Sequence, residues 1–142
     1  MNLRIVPLKP EHCSIVPHLR QQDILEINAM GGLSPSLAVA CSVACSERGF
    51  TALLDDSPVA VFGVHDSVIW LVGTDEITKH PVTFYRQSRK IFRELKKGYR
   101  VLYNFVHTSN TFSLRWLRWL GFDIEPPENN FHYVHYANKE ED

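Results

Sequence analysis

The chain has 142 residues, 44% hydrophobic and 22% charged, with a formal net charge of −1. That length predicts one domain over residues 1–142 with room for a real core, and the composition is ordinary for a globular protein. No apolar run approaches the length of a membrane span, and "MNLRIVPLKPEHCSIVPHLR" has polar residues and prolines where a signal peptide needs a continuous apolar core. The expectation is a soluble protein that stays in the cytoplasm where it is made.

In chain order, "NLRIVPL" alternates as a first strand. "HCSIVPHLRQQDILEINAMGG" reads as a helical region interrupted near Pro17 and closed by Gly31 and Gly32. A second helix follows, with Ser34 as cap, Pro35 at the first helical position and Gly49 at its end. "FTALLDDSPVAVFGVHD" is a hairpin turning through Asp55, Asp56, Ser57 and Pro58. "SVIWLVGT" is apolar enough to be a strand buried on both faces. A long helix then runs from Pro81 towards Gly98, "RVLYNFVHT" is a strand, and "NTFSLRWLRWLGF" is a helix capped by Asn110 and ended by Gly121. A last strand pair lies around Pro126 and Pro127, and 138–142 form a short acidic tail. This order predicts an α/β (α+β) domain with one mixed central sheet and helices on both faces.

Charge is segregated. From Lys79 to Arg118 there are ten cations against one acid, Glu94, whereas the remainder has five cations against fifteen acids. Such a region is suited to face something anionic. Of the three cysteines, Cys41 and Cys45 stand one helical turn apart, and buried structural thiols are expected rather than zinc ligands. His132 and His135 alternate to opposite faces of a strand, so they cannot chelate one ion. No metal is expected.

Asn110, Ser113, Trp116, Leu120, Gly121 and Phe122 follow the pattern NxxAxxFYxxLGF of the GCN5-related N-acetyltransferases (GNATs), and the order of elements resembles that family over essentially the whole chain. More narrowly, "DILEI", "GGLSPS" and "NTFSLRWLRWLGF" resemble short acetyltransferase-fold proteins of T7-type bacteriophages, relatives of internal virion protein A. The resemblance implies acetyl-CoA or another acyl-CoA as co-substrate, no metal, and direct transfer of the acyl group to an amine, with a host bacterial protein as acceptor. It places the protein in the host cytoplasm or the virion.

The same resemblance implies where the acyl-CoA lies. Its arm would follow Val72 and Thr74 and meet Asn110, Ser113 and Trp116 of the closing helix. Its phosphates would meet Thr78, Lys79, His80, Val82, Thr83 and Arg86 at the start of the long helix, where free N–H groups and cations converge. Two departures stand out. "DEITKHPVTF" has no glycine where the family has a glycine-rich loop, and Leu117 stands where many members carry a tyrosine acid.

Asp23 and Glu26, three apart, share one side of a helix that borders the acceptor site in this fold, so either can bind or deprotonate an amine. His107, at the end of the fifth strand, lies near where the acyl group would sit and is a candidate acid or base, and Tyr103 shares its strand face. Two further functions compete with acyl transfer: a non-catalytic protein on the same fold that binds a host protein or is packaged in the virion, and nucleic-acid binding through 86–100. The last lacks an exposed aromatic platform for single strands.

Overall fold

The computed structural model describes residues 2–139; the end of the acidic tail, 140–142, lies outside them. The elements are β1 (Leu3–Pro7), a 3-10 run (Pro10–His18), α1 (Gln21–Met30), α2 (Pro35–Cys45), β2 (Arg48–Leu54), β3 (Ser57–His65) and β4 (Val68–Gly73). They continue with a short 3-10 turn (Ile77–Lys79), α3 (Pro81–Lys96), β5 (Val101–His107), α4 (Thr111–Leu120), β6 (Asp123–Ile124) and β7 (Phe131–Ala137). The strands form one sheet in the order β1-β2-β3-β4-β5-β7-β6. Every pairing is antiparallel except β4 with β5. This is the mixed α/β sheet expected from the sequence.

Local chemistry sets several boundaries more tightly than the sequence suggested. The β2–β3 turn is only Asp55–Asp56, both at positive φ (48° and 70°), and Ser57 already belongs to β3. Asp66–Ser67 repeats the device between β3 and β4. Two left-handed residues match the twist of the flanking strands, and the short polar side chain of aspartate tolerates that conformation. Before α1, Pro17 sits inside a 3-10 run rather than an α-helix, and the α-helix starts only at Gln21. Ser34 caps α2 as expected, its Oγ accepting from Leu37 N at 3.2 Å.

Gly49, expected to end α2, lies instead in β2, where a Cβ would stand 2.5 Å from Leu8 Cδ2. It is a close-approach glycine, and the helix stops four residues earlier. The cysteine expectation is also corrected: Cys41 and Cys45 are exposed and Cys13 is half-buried. The inward stripe of α2 runs through Ala38, Val39, Ser42 and Val43, which puts 41 and 45 on the opposite side.

α3 and α4 cover one face of the sheet, and the 3-10 run, α1 and α2 cover the other. α4 buries Phe112, Ser113, Trp116, Leu117 and Leu120. Trp116 is 1% exposed and packs at 5.6 Å from Phe62 and 6.1 Å from Phe84, whereas Trp119 is 37% exposed and leans on Tyr85. The aromatic investment in this helix therefore serves the core, and Arg115 and Arg118 face outward.

The feature that positions the site is a split in the sheet. The ladder of β4 with β5 is a single pair, Val68↔Tyr103, beyond which the two parallel strands part.

Candidate active site

Alternation along β4 turns the backbone groups of Ile69, Leu71 and Gly73 toward the split. The side chain of Asn104 spans it near its base, Nδ2 donating to Ile69 O at 2.6 Å. At the far end the start of α1 docks on the strand edge. Arg20 N donates to Gly73 O at 2.9 Å and Gly73 N donates to Asp23 Oδ2 at 2.8 Å. Leu71 lies between these two anchorages, and the one-pair ladder offers its peptide no partner.

From that docking point a buried polar network crosses to β5 and α4. Arg20, 2% exposed, donates through Nε and Nη2 to both oxygens of Asp23, 1% exposed, at 3.0 and 2.7 Å. Arg20 Nη2 also donates to Asn110 Oδ1 at 3.2 Å, and its guanidinium lies 5.1 Å from the Phe112 ring centre. Asn110 donates from Nδ2 to Glu26 Oε1 at 2.9 Å while its Oδ1 caps α4 through Ser113 N. The His107 backbone N–H donates to the same Glu26 oxygen at 2.9 Å. No hydrogen bond from the described residues reaches Glu26 Oε2.

The network separates two hollows. One, about 230 Å³, lies between α1, α2 and the parted strands; Asp23 and Glu26 sit on one wall, opposite Trp70, Leu71, Asn104 and Phe105. The other, about 300 Å³, lies where the starts of α3 and α4 converge, lined by Arg20, Thr78, Pro81, Tyr85, Asn110 and Arg115 among others. Two helix N-termini with their free N–H groups and the Arg115 guanidinium favour anionic oxygen in that second hollow, against the Asp75 carboxylate that also lines it; the charge of Arg20 is already met by Asp23.

The expected site residues divide accordingly. Glu26 and Asp23 meet at the first hollow, but Asp23 is fully committed to Arg20 and Gly73, so Glu26 is the available carboxylate. Neither acid is a solvated helix-face residue. Val72 also lines the first hollow. Thr78 and Asn110 line the second, and Val82 and Thr83 are exposed on the first turn of α3 beside it. Lys79 is tied to Glu76 at 2.8 Å, and Arg86 is exposed a turn further along α3 and does not line the hollow. Thr74 Oγ1 donates to Val59 O.

His80 precedes α3 with Nε2 buried and unpartnered among the described residues, as are Ser113 Oγ and Trp116 Nε1. The His107 ring turns away to Ser109, and Tyr103 packs on Phe105 and Tyr133 outside the first hollow. What His107 brings to Glu26 is its backbone. Sequence reasoning missed Arg20 and Asn104 as site residues. For Arg20 the signal was present, since the spacing to Asp23 in "RQQD" is that of a helical i,i+3 pair.

Burial pushes the Glu26 carboxyl above its ordinary range, against the pull of the Asn110 and His107 hydrogen bonds. Burial likewise raises Asp23, opposed by the Arg20 hydrogen bonds and charge and by Gly73 N–H. Tyr85, pushed up to about 12 by burial, donates to Phe112 O at 2.8 Å and stays protonated. Among the described residues no three His, Cys, Asp or Glu side chains are grouped to hold a metal ion.

No family model matches the chain, and no curated protein matches it. Solved structures do. PaiA N-acetyltransferase from Thermoplasma acidophilum, in complex with coenzyme A, aligns over 97% of this chain and 100% of its own at TM-score 0.62 and 14% identity. A GNAT-family acetyltransferase from Streptococcus pneumoniae aligns over 96% and 100% at TM-score 0.63 and 12% identity. A Pyrococcus horikoshii protein aligns over 98% and 100% at TM-score 0.71 and 11% identity. The chain has the GNAT fold.

Proposed function

We propose that the protein is an acyl-CoA-dependent N-acyltransferase in which the two hollows hold the two substrates. The observation that carries this reading is Glu26: one carboxylate oxygen is fixed by two donors, the other is free, and the group sits beside the parted strands. The phosphates of the acyl-CoA lie at the convergent starts of α3 and α4 near Arg115, and its arm runs into the split along Leu71. The amine enters from the α1–α2 side.

Glu26, with its affinity for protons raised by burial, takes a proton from the ammonium. The amine lone pair then attacks the thioester carbon; the C–N bond forms, the C–S bond breaks, and coenzyme A leaves as the thiolate. With Leu117 in the core and Tyr85 engaged, the thiolate draws its proton from solvent, and alignment of the reactants supplies much of the rate. The narrower resemblance adds that the protein is phage-encoded, acts in the cytoplasm of its bacterial host and acylates a host protein.

A second reading is supported by the Arg20 bridge, which ties the far end of the split shut: a GNAT-fold protein that has given up catalysis and works by binding a host protein or as a virion component. Calorimetry with acetyl-CoA, followed by mass spectrometry of host lysate incubated with both, separates the two. The first reading expects binding that is weakened by Arg115→Glu but not by Lys79→Glu, and a mass gain on specific lysines. Absence of binding, or binding with no acylated product, leaves the second.

A further inference from the structure

We propose that the amine taken by the first hollow carries a single positive charge on an apolar body. This rests on the acyltransferase reading and names its acceptor class. The walls are mostly apolar, with Ile27, Met30, Trp70 and Phe105 beside the neutral Ser42 and Asn104, and no lysine, arginine or histidine lines the hollow. Of its two carboxylates, Asp23 is neutralised by Arg20, so one anionic oxygen, Glu26 Oε2, is left to meet one ammonium. A second cationic group on the ligand would be desolvated against apolar walls with nothing to pair with, and a carboxylate would face Glu26.

The surroundings point the same way. From Gln21 to Cys45 the chain contains no lysine, arginine or histidine, and its only acids are Asp23 and Glu26. The rim is apolar: Met30 is 61% and Phe105 46% exposed. Small-molecule pockets span roughly 300–1,000 Å³, so a hollow of about 230 Å³ suits a compact group. Two sources offer that chemistry: a free arylalkylamine, or a lysine flanked by apolar residues on a protein.

The test is calorimetry on the full chain, with and without coenzyme A, using phenethylamine, a peptide with one lysine between leucines and phenylalanines, and spermidine. Phenethylamine or the peptide binds, whichever is the source, and spermidine does not. Glu26→Gln weakens the binding on the order of tenfold or more, the loss of a hydrogen bond to a charged group. Met30→Lys, at an exposed position that accepts a lysine without disturbing the fold, weakens it through repulsion at the mouth. Spermidine binding as tightly as the apolar amines, failure of both apolar probes, or indifference to Glu26→Gln in a folded variant overturns the proposal. Apolar amines that bind through Glu26 but gain no acyl group from acetyl-CoA uphold this site and refute acyl transfer. Acylation confined to spermidine does the reverse.

Discussion

Arg20→Met tests whether the bridge across the split is the buried ion pair described above. The substitution keeps an unbranched apolar stem in place of the guanidinium and leaves Asp23, 1% exposed, with one donor, the Gly73 N–H. Removing one partner of a buried pair strands the other charge, at about 3–5 kcal/mol. For a chain of this size about 1 kcal/mol corresponds to roughly 3–4 °C in Tm, so the loss is about 9–20 °C. Asp23→Leu is expected to lose a similar amount, because it strands the guanidinium against Asn110 Oδ1 and the Phe112 ring. In the double variant neither charge remains, and only the Gly73 N–H is newly unpaired at about 1–3 kcal/mol. The two substitutions are therefore far from additive, with a coupling of several kcal/mol. Urea unfolding of the four proteins measures it. Single variants that each lose under about 1 kcal/mol, or losses that simply add, would refute the account.

Three further outcomes follow from the same geometry. Because the Glu26 carboxyl is raised from its ordinary 4.5, the folded protein holds a proton that the unfolded chain has released between that value and the raised one. Stability therefore falls as pH rises through that window, and Glu26→Gln flattens this part of a Tm-against-pH curve; an unchanged slope would show that the carboxyl is not raised. Trp116→Ala empties the centre of the core and is expected to lose about 3–5 kcal/mol, whereas Trp119→Ala, at a 37% exposed position, loses far less; denaturant midpoints decide the order. Gly63→Ala would bring a Cβ to 2.6 Å from the Arg48 carbonyl oxygen, which is ladder backbone, whereas Gly49→Ala meets the movable end of Leu8. The first should be the more damaging, within the roughly 1–3 kcal/mol of overpacking, and the reverse order in thermal melts would count against the β2–β3 register.

The fold was legible because its signals are local: Ser34 and Asn110 as caps, Pro35 and Pro81 at first helical positions, Gly121 at φ 100° after α4. Gly49 misled because a glycine after a helix-like run suggests a C-cap, while its actual constraint is Leu8, forty-one residues earlier in the chain. The cysteines misled because small residues on every side of α2 hide which stripe turns inward. In the site, the spacing of Asp23 and Glu26 placed both on one side of α1, but nothing local distinguishes the acid tied to Arg20 from the one left with a free oxygen. That distinction depends on Gly73, His107 and Asn110, brought together from three other elements. Lys79 illustrates the converse: a cation at the right place in the sequence is held by the glutamate three residues before it.

The one-pair ladder between β4 and β5 also bears on how the molecule comes apart. Within the sheet, β1 to β4 on one side and β5, β7 and β6 on the other are each stitched by continuous antiparallel pairing, yet among the described residues a single ladder pair, Val68↔Tyr103, joins them beside the Asn104–Ile69 hydrogen bond. Cooperative unfolding units tend to follow such seams. The amides of β5 and β7 should therefore exchange with solvent deuterium as one group, at an opening free energy distinct from that of the β2–β3–β4 meander. The Arg20 network is then a clasp between the two halves, and Arg20→Met is expected to loosen the exchange of the β5–β7–β6 half more than that of the meander.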